Sequence, residues 1–259
     1  MLNFSANLSM LYQQSPFMER FVLAAKDGFK AVEFLFPYDF SKEEIKEEIS
    51  KQHLKIVLHN LPAGDWAKGE RGIACLPDRV DEFKEGVQRA IEYAKALGVR
   101  QVNCLAGIKP DNLDIELADK TLVDNLRYAS QELKKADIHL LLEPINNYDI
   151  PKFLVNSTVK GIQIIDTVNS DNLFLQYDIY HAQRMEGEIS GNINKYFDRI
   201  KHIQIADNPG RNEPGTGEIN YVFLFSLLKK LNYQGWIGCE YKPAGDTSTG
   251  LAWMNQLTK

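Results

Sequence analysis

The chain has 259 residues, 44% hydrophobic and 25% charged; this is close to the roughly 250 residues of one eight-stranded α/β barrel, with an ordinary globular balance. A formal net charge of −5 argues against a nucleic-acid or anionic-membrane surface, so an anionic ligand would have to be held by a few local cations. Three cysteines (Cys75, Cys104, Cys239) without CxxC spacing argue against a disulfide framework and fit a reducing compartment.

The chain opens on MLNFSANLSM, which lacks a basic stretch followed by an apolar run and so does not read as a signal peptide. No apolar segment approaches the roughly 20 residues needed to span a bilayer, and a cytoplasmic location is expected. From there short apolar runs alternate with longer amphipathic ones, the pattern of βα units and a parallel sheet. Strands are predicted over residues 3–7, 31–36, 55–59, 101–105, 139–143, 173–178, 202–206 and 236–240. They read as nearly continuous apolar stretches, as expected when both faces are buried. Ser15-Pro16 reads as an N-cap followed by proline at the first helical position. Ser41 with Glu44 is a capping-box pattern, and Val80, Phe83, Val87, Ile91, Ala94 and Leu97 mark one apolar helix face. Gly28, Gly98 and Gly235 each precede a strand and read as helix stops. With no linker or low-complexity segment, the expectation is a single (β/α)8 TIM-barrel domain over residues 1–259.

Two long connections, NLPAGDWAKGERGIACLP after the third strand and DNPGRNEPGTGE after the seventh, fall at the C-terminal face where barrel pockets sit, and long structured loops there are often lids. Four consecutive strands finish at that same end with an oxygen-bearing side chain: Glu143, Asp178, Gln204 and Glu240. One such residue alone could cap a strand and pair with a loop cation; four in register read as a site. Converging carboxylates repel, and a hard divalent cation, Mg²⁺ or Mn²⁺, resolves the repulsion. His181 and His59, at or just past strand ends, are candidates to hydrogen-bond a substrate oxygen. Arg211, Arg71 and Lys242 are candidates to hold a substrate carboxylate. His53, His139 and His202 read as structural or solvated, Cys104 and Cys239 as core residues, and Glu33 as reaching the pocket rim or pairing with a loop cation.

The segments FSANLSMLY, GFKAVEFLFPYDF, LHNLPAGDWAKGERGIAC, LLLEPINNYDIP, LQYDIYHAQRMEGE, HIQIADNPGRNEPGTGEINY and GWIGCEYKP carry a resemblance that spans the chain. It resembles the hydroxypyruvate isomerase family, within the xylose-isomerase-like barrels. The resemblance implies an aldose–ketose isomerisation of hydroxypyruvate to tartronate semialdehyde, with Glu143 and Glu240 as proton donor and acceptor. It also implies a divalent-metal site of Glu143, Asp178, Gln204 and Glu240, with His181 and Arg211 on the substrate. Gln204 departs from the histidine of many related epimerases, and a neutral amide is a weaker ligand than imidazole for most transition metals.

The expected partner is therefore a small anionic hydroxy-carbonyl acid. A four-carbon 2-oxo acid such as 2-oxo-tetronate is the runner-up substrate, followed by sugar 3-epimerisation. The same barrel group includes metal-dependent phosphodiesterases acting on damaged DNA, which need several histidines and a basic face. The outer helices could carry a homo-oligomer contact, with no surface patch for one readable in the sequence.

Overall fold

Parallel pairing of short apolar runs accounts for the architecture. In the computed structural model, β1 (Asn3–Asn7), β2 (Ala31–Glu33), β3 (Lys55–Asn60), β4 (Gln101–Cys104), β5 (His139–Leu142), β6 (Leu173–Asp178), β7 (Ile200–Ile205) and β8 (Trp236–Cys239) form a closed barrel in sequential order. The structure describes residues 2–258; Met1 and Lys259, the ends of the expected 1–259 domain, lie outside the described residues. Closure is made by β1 against β8, with Asn3 beside Trp236 and Ala6 beside Cys239.

Amphipathic helices cover the barrel: α1 (Phe17–Lys26), α2 (Lys42–Gln52), α3 (Val80–Leu97), α4 (Ile115–Lys135), α5 (Thr158–Val168), α6 (Ile179–Met185), α7 (Ile189–Tyr196) and α8 (Tyr221–Lys230). The expected face of α3 buries Phe83, Val87, Ile91, Ala94 and Leu97. Ser41 and Glu44 form the reciprocal capping box of α2. No helix among the described residues is long and apolar enough to cross a membrane.

Several expectations are corrected. Pro16 itself occupies the N-cap of α1 and no side chain caps it, so Ser15 does not serve. Gly235 does not stop α8; Asn232, at φ +55°, takes the left-handed turn after the helix. Strand β2 ends at Glu33 rather than 36, because the register against β3 shifts between Val32 and Glu33. Strand β7 starts at Ile200, where it already pairs with Leu175.

The largest difference lies inside the barrel. Residues two apart on a strand share a face, and Ser5/Asn7, Gln101/Asn103, Gln176/Asp178 and His202/Gln204 are such polar pairs. Hydrogen bonds from Gln101 to His202 and from His202 to Glu33 join strands that are not neighbours, so they cross the interior. The strands are apolar outward and partly polar inward rather than apolar throughout. Glu33 therefore neither reaches the rim nor meets a loop cation: it is fully buried and accepts from Ser5, Asn7, His202 and Gln204 at 2.8–3.1 Å. Gly238 makes room for it, since a Cβ there would stand 2.2 Å from a Glu33 oxygen. Below this polar layer, Ala31, Val57, Leu58 and Leu141 close the barrel floor with Phe174 and Trp236.

Candidate active site

Strand ends place the key side chains. Glu143 and Glu240 each follow the last residue of their strand, β5 and β8, while Asp178 ends β6 and is paired in register with Gln204 of β7. All four are buried, the most exposed at 6%. Asp178 does two jobs: Oδ1 caps α6 by accepting from the backbone N–H of Tyr180 (2.8 Å) and His181 (3.4 Å), while Oδ2 is buried with no hydrogen-bond partner. That cap fixes where α6 begins and so brings His181 to the site, Nε2 lying 3.6 Å from Asp178 Oδ2 and 4.0 Å from Glu143 Oε1.

Amides orient the glutamates. Asn103 donates to Glu143 Oε2 at 2.7 Å, and Asn7 and Gln204 donate to Glu240 Oε2 at 3.0 and 2.5 Å. The same two amide nitrogens also reach Glu33, and Gln204 Oε1 accepts from Gln176 at 2.7 Å. Arg211 donates to Glu240 Oε1 at 2.8 Å and lies 3.9 Å from Asp178 Oδ2 and 3.7 Å from Asp149 Oδ2, with its guanidinium over the Tyr180 ring.

Burial dominates the electrostatics. It pushes the Glu143 carboxyl up to about 8, with the Asp178 charge adding to it. Burial also raises Asp178, and raises Glu240 well above the carboxylate range, despite Arg211 acting the other way on both. It lowers the His181 imidazole, with Arg211 and Arg184 adding to the effect. Glu143, Asp178 and Glu240 converge with Asp149 around Arg211, so when ionised the carboxylates outnumber the cations beside them, an excess that a divalent cation would offset. Glu143, Asp178 and His181 also offer donor atoms within 4.8 Å of one another, a cluster that could hold a metal ion. With the unpartnered Asp178 Oδ2, the donor set fits a hard divalent ion.

The structure thus brings together Glu143, Asp178, Gln204, Glu240, His181 and Arg211. Arg71 instead stacks on Trp66, 3.9 Å from the ring centre, and donates to the Trp66 and Glu70 carbonyls of its own loop. The Lys242 side chain is exposed, while its backbone N–H holds the Arg211 carbonyl at 2.7 Å. His59 is fully buried beside Tyr38 and the Asn60 carbonyl, with Nε2 unpartnered and the ring pushed down to about 4 by burial. Sequence reasoning missed Asn7, Asn103, Asn146 and Asp149. Asn7 ends β1 much as Asp178 ends β6, a signal that was available; Asn146 and Asp149 sit in a loop without periodicity.

A family model described as a xylose isomerase-like TIM barrel matches residues 21–257. The chain belongs to this family. Within the xylose isomerase-like barrels, the hydroxypyruvate isomerase of Escherichia coli (strain K12) is 54% identical over 255 residues, 98% of this chain and 99% of that protein. The 2-oxo-tetronate isomerase of Cupriavidus necator is 42% identical over 254 residues, 98% of each chain. A solved structure from Brucella melitensis described as an AP endonuclease, family 2, superposes with a TM-score of 0.96 at 43% identity, covering 99% of both chains. Identity of this extent to named isomerases, over the full barrel, makes the chain an isomerase.

Proposed function

We propose that the chain interconverts hydroxypyruvate and tartronate semialdehyde, with Glu143 and Glu240 as the acid/base pair. The observation that carries this is two buried strand-end glutamates, each gripped at one oxygen by a side-chain amide and converging with Asp178 and Arg211 on one site; burial raises both carboxyls. Isomerisation removes a proton from C3, beside the C2 carbonyl, and returns one to C2 through a planar enediolate. One glutamate, as the carboxylate, takes the C3 proton. A glutamic acid (the other residue or the first once protonated) delivers one to C2, and the hydroxyl proton passes from O3 to O2. Arg211 pairs with the substrate carboxylate, exchanging its contact with Glu240 for one with the acid. His181 donates to a substrate oxygen. Glu143, Asp178, Gln204 and Glu240 would hold Mg²⁺ or Mn²⁺, which supplies Lewis-acid polarisation of the substrate oxygens. The uncompensated charge and the free Asp178 oxygen support that ligand set. Three buried, unpaired cysteines support a cytoplasmic setting.

A second reading, isomerisation of 2-oxo-tetronate, is supported by relatives of that name at 40–42% identity. Proton NMR of hydroxypyruvate with the purified protein in D₂O, with and without chelator, tests the first reading. Tartronate semialdehyde carrying deuterium at C2 is the expected product, lost on chelation. Turnover of the four-carbon acid but not of hydroxypyruvate would replace the first reading by the second.

A further inference from the structure

Asn146 lies in the loop after β5, is fully buried, and touches His181 and Asp149. Its Oδ1 accepts from the backbone N–H of Tyr148 (3.0 Å) and Asp149 (2.8 Å), an Asx turn that leaves the amide one orientation. Reversing it would set an NH₂ against two N–H donors. Both hydrogens of Nδ2 are then committed, one to Asp149 Oδ2 at 3.2 Å and one to His181 Nδ1 at 2.6 Å. An amide nitrogen can only donate, so Nδ1 must accept, and the proton of a neutral imidazole is left on Nε2. Turning the ring over would offer Asn146 a C–H instead, and the Asp178 cap on the His181 backbone N–H holds the ring's starting point.

We infer that Asn146 is a positioning residue that holds His181 in the Nε2–H form, so that the reacting centre receives a hydrogen-bond donor. Nε2 faces Asp178 and Glu143, next to the group that moves the proton. A donor there stabilises oxyanion character developing on the substrate; a lone pair there would oppose it. The same assignment separates His181 from the carboxylates it clusters with: protonated at Nε2, it serves substrate oxygen rather than a metal ion. The catalytic consequence rests on the isomerase reading proposed above; the tautomer does not.

The test uses protein labelled with ¹⁵N-histidine, the His181 signals being identified by their loss in His181→Gln. Long-range ¹H–¹⁵N correlation of the substrate-free wild type is expected to show Nε2 protonated and Nδ1 bare. Asn146→Asp keeps the turn acceptor but replaces the donor with an oxygen, and is expected to protonate Nδ1. It should lower kcat by about 10²- to 10³-fold, the loss expected when one donor to a developing oxyanion is removed, with a smaller change in KM. Wild-type protein carrying the proton on Nδ1, or a mixture of forms, would overturn the inference, and so would an Asn146→Asp protein still protonated at Nε2 alone. Reading the wild-type tautomer needs only the assignment variant His181→Gln to fold, and no substrate. A clean Nε2–H signal with no turnover of hydroxypyruvate would therefore sink the proposed reaction while leaving the tautomer standing.

Discussion

Glu143 illustrates what a site of this kind costs the fold. Its carboxyl ionises near 4.5 in the unfolded chain, but burial and the Asp178 charge raise it to about 8 in the metal-free fold. Between those values the folded form binds more protons, so stability falls as pH rises from about 4.5 to 8. Glu143→Gln removes the penalty. In metal-free protein at pH 7 it should gain on the order of 3 kcal/mol in urea unfolding, while turnover falls by about 10²–10⁴-fold. Equal or lower stability would show that the carboxyl is not strained. His59 has the opposite sign: its ring ionises near 6.5 when unfolded and near 4 when buried. The unfolded form binds more protons in that window, and stability is lost as pH falls from about 6.5 to 4, by roughly 3 kcal/mol at the lower end. His59→Gln should flatten that limb of the stability profile, and an unchanged slope would assign the acid loss to other groups. The strand-end carboxylates were legible because each stands out at the close of an apolar run. Asn103 and Asn146 were not, because what they do is decided by partners 40 and 35 residues away.

At the level of elements, the strand pattern and the two long loops could be read from sequence, but their mechanics could not. The loop after β7 reads as a lid, yet it is stapled. Asp207 is buried and accepts from the backbone N–H of Asn208, Gly215 and Ile219 at 2.8–3.0 Å. The Arg211 carbonyl is held by Lys242, and Asn212 reaches back to the Lys242 carbonyl. Arg211 thus sits at φ +55° on a braced support that spans two loops, a preorganised clamp. Sequence shows which residues a loop contains; it does not show that one aspartate gathers three of that loop's amides. Asp207→Ala should leave those amides without their acceptor, cost about 1–3 kcal/mol of stability and raise KM more than it lowers kcat. If KM holds while stability drops, the staple serves the fold and not Arg211. The loop after β3 is braced differently: Gly72, at φ +111°, packs on the chain after β4, where a Cβ would meet the Leu105 carbonyl at 2.4 Å. No side chain can stand there without moving backbone, so that loop too is anchored at its base.

Across the whole molecule, the barrel's middle is an argument about charge. Barrels of this type commonly fill their interior with branched apolar side chains; here Gln101, His202 and Glu33 form a hydrogen-bonded line, and Asn7 and Gln204 continue it from Glu33 to Glu240. Polar residues at alternate positions of β1, β4, β6 and β7 are the sequence trace of that line. It is easily overlooked, since each strand also turns an apolar face to the helices. Glu33 is an acceptor-only group at the centre, taking donors from four strand residues. Burial alone would push its carboxyl up, but His202 and the hydrogen bonds from Gln204 and Ser5 bring it below the ordinary value. A depressed folded value means the stabilisation is present above the unfolded value and is lost as pH falls through the folded one. Glu33→Gln puts an NH₂ among four donors, so Ser5 and His202 must turn to accept, with His202 changing tautomer against Gln101, or an N–H is left facing another. The expected cost is about 3–5 kcal/mol in urea unfolding at pH 7, shrinking as the pH is lowered and the wild-type carboxylate loses its advantage. The substitution should also loosen the two amides that hold Glu240, lowering kcat even under conditions where the protein remains folded. A Glu33→Gln protein as stable as wild type at pH 7 would mean that the interior line tolerates an extra donor, and that Asn7 and Gln204 hold Glu240 without needing Glu33 as their second acceptor.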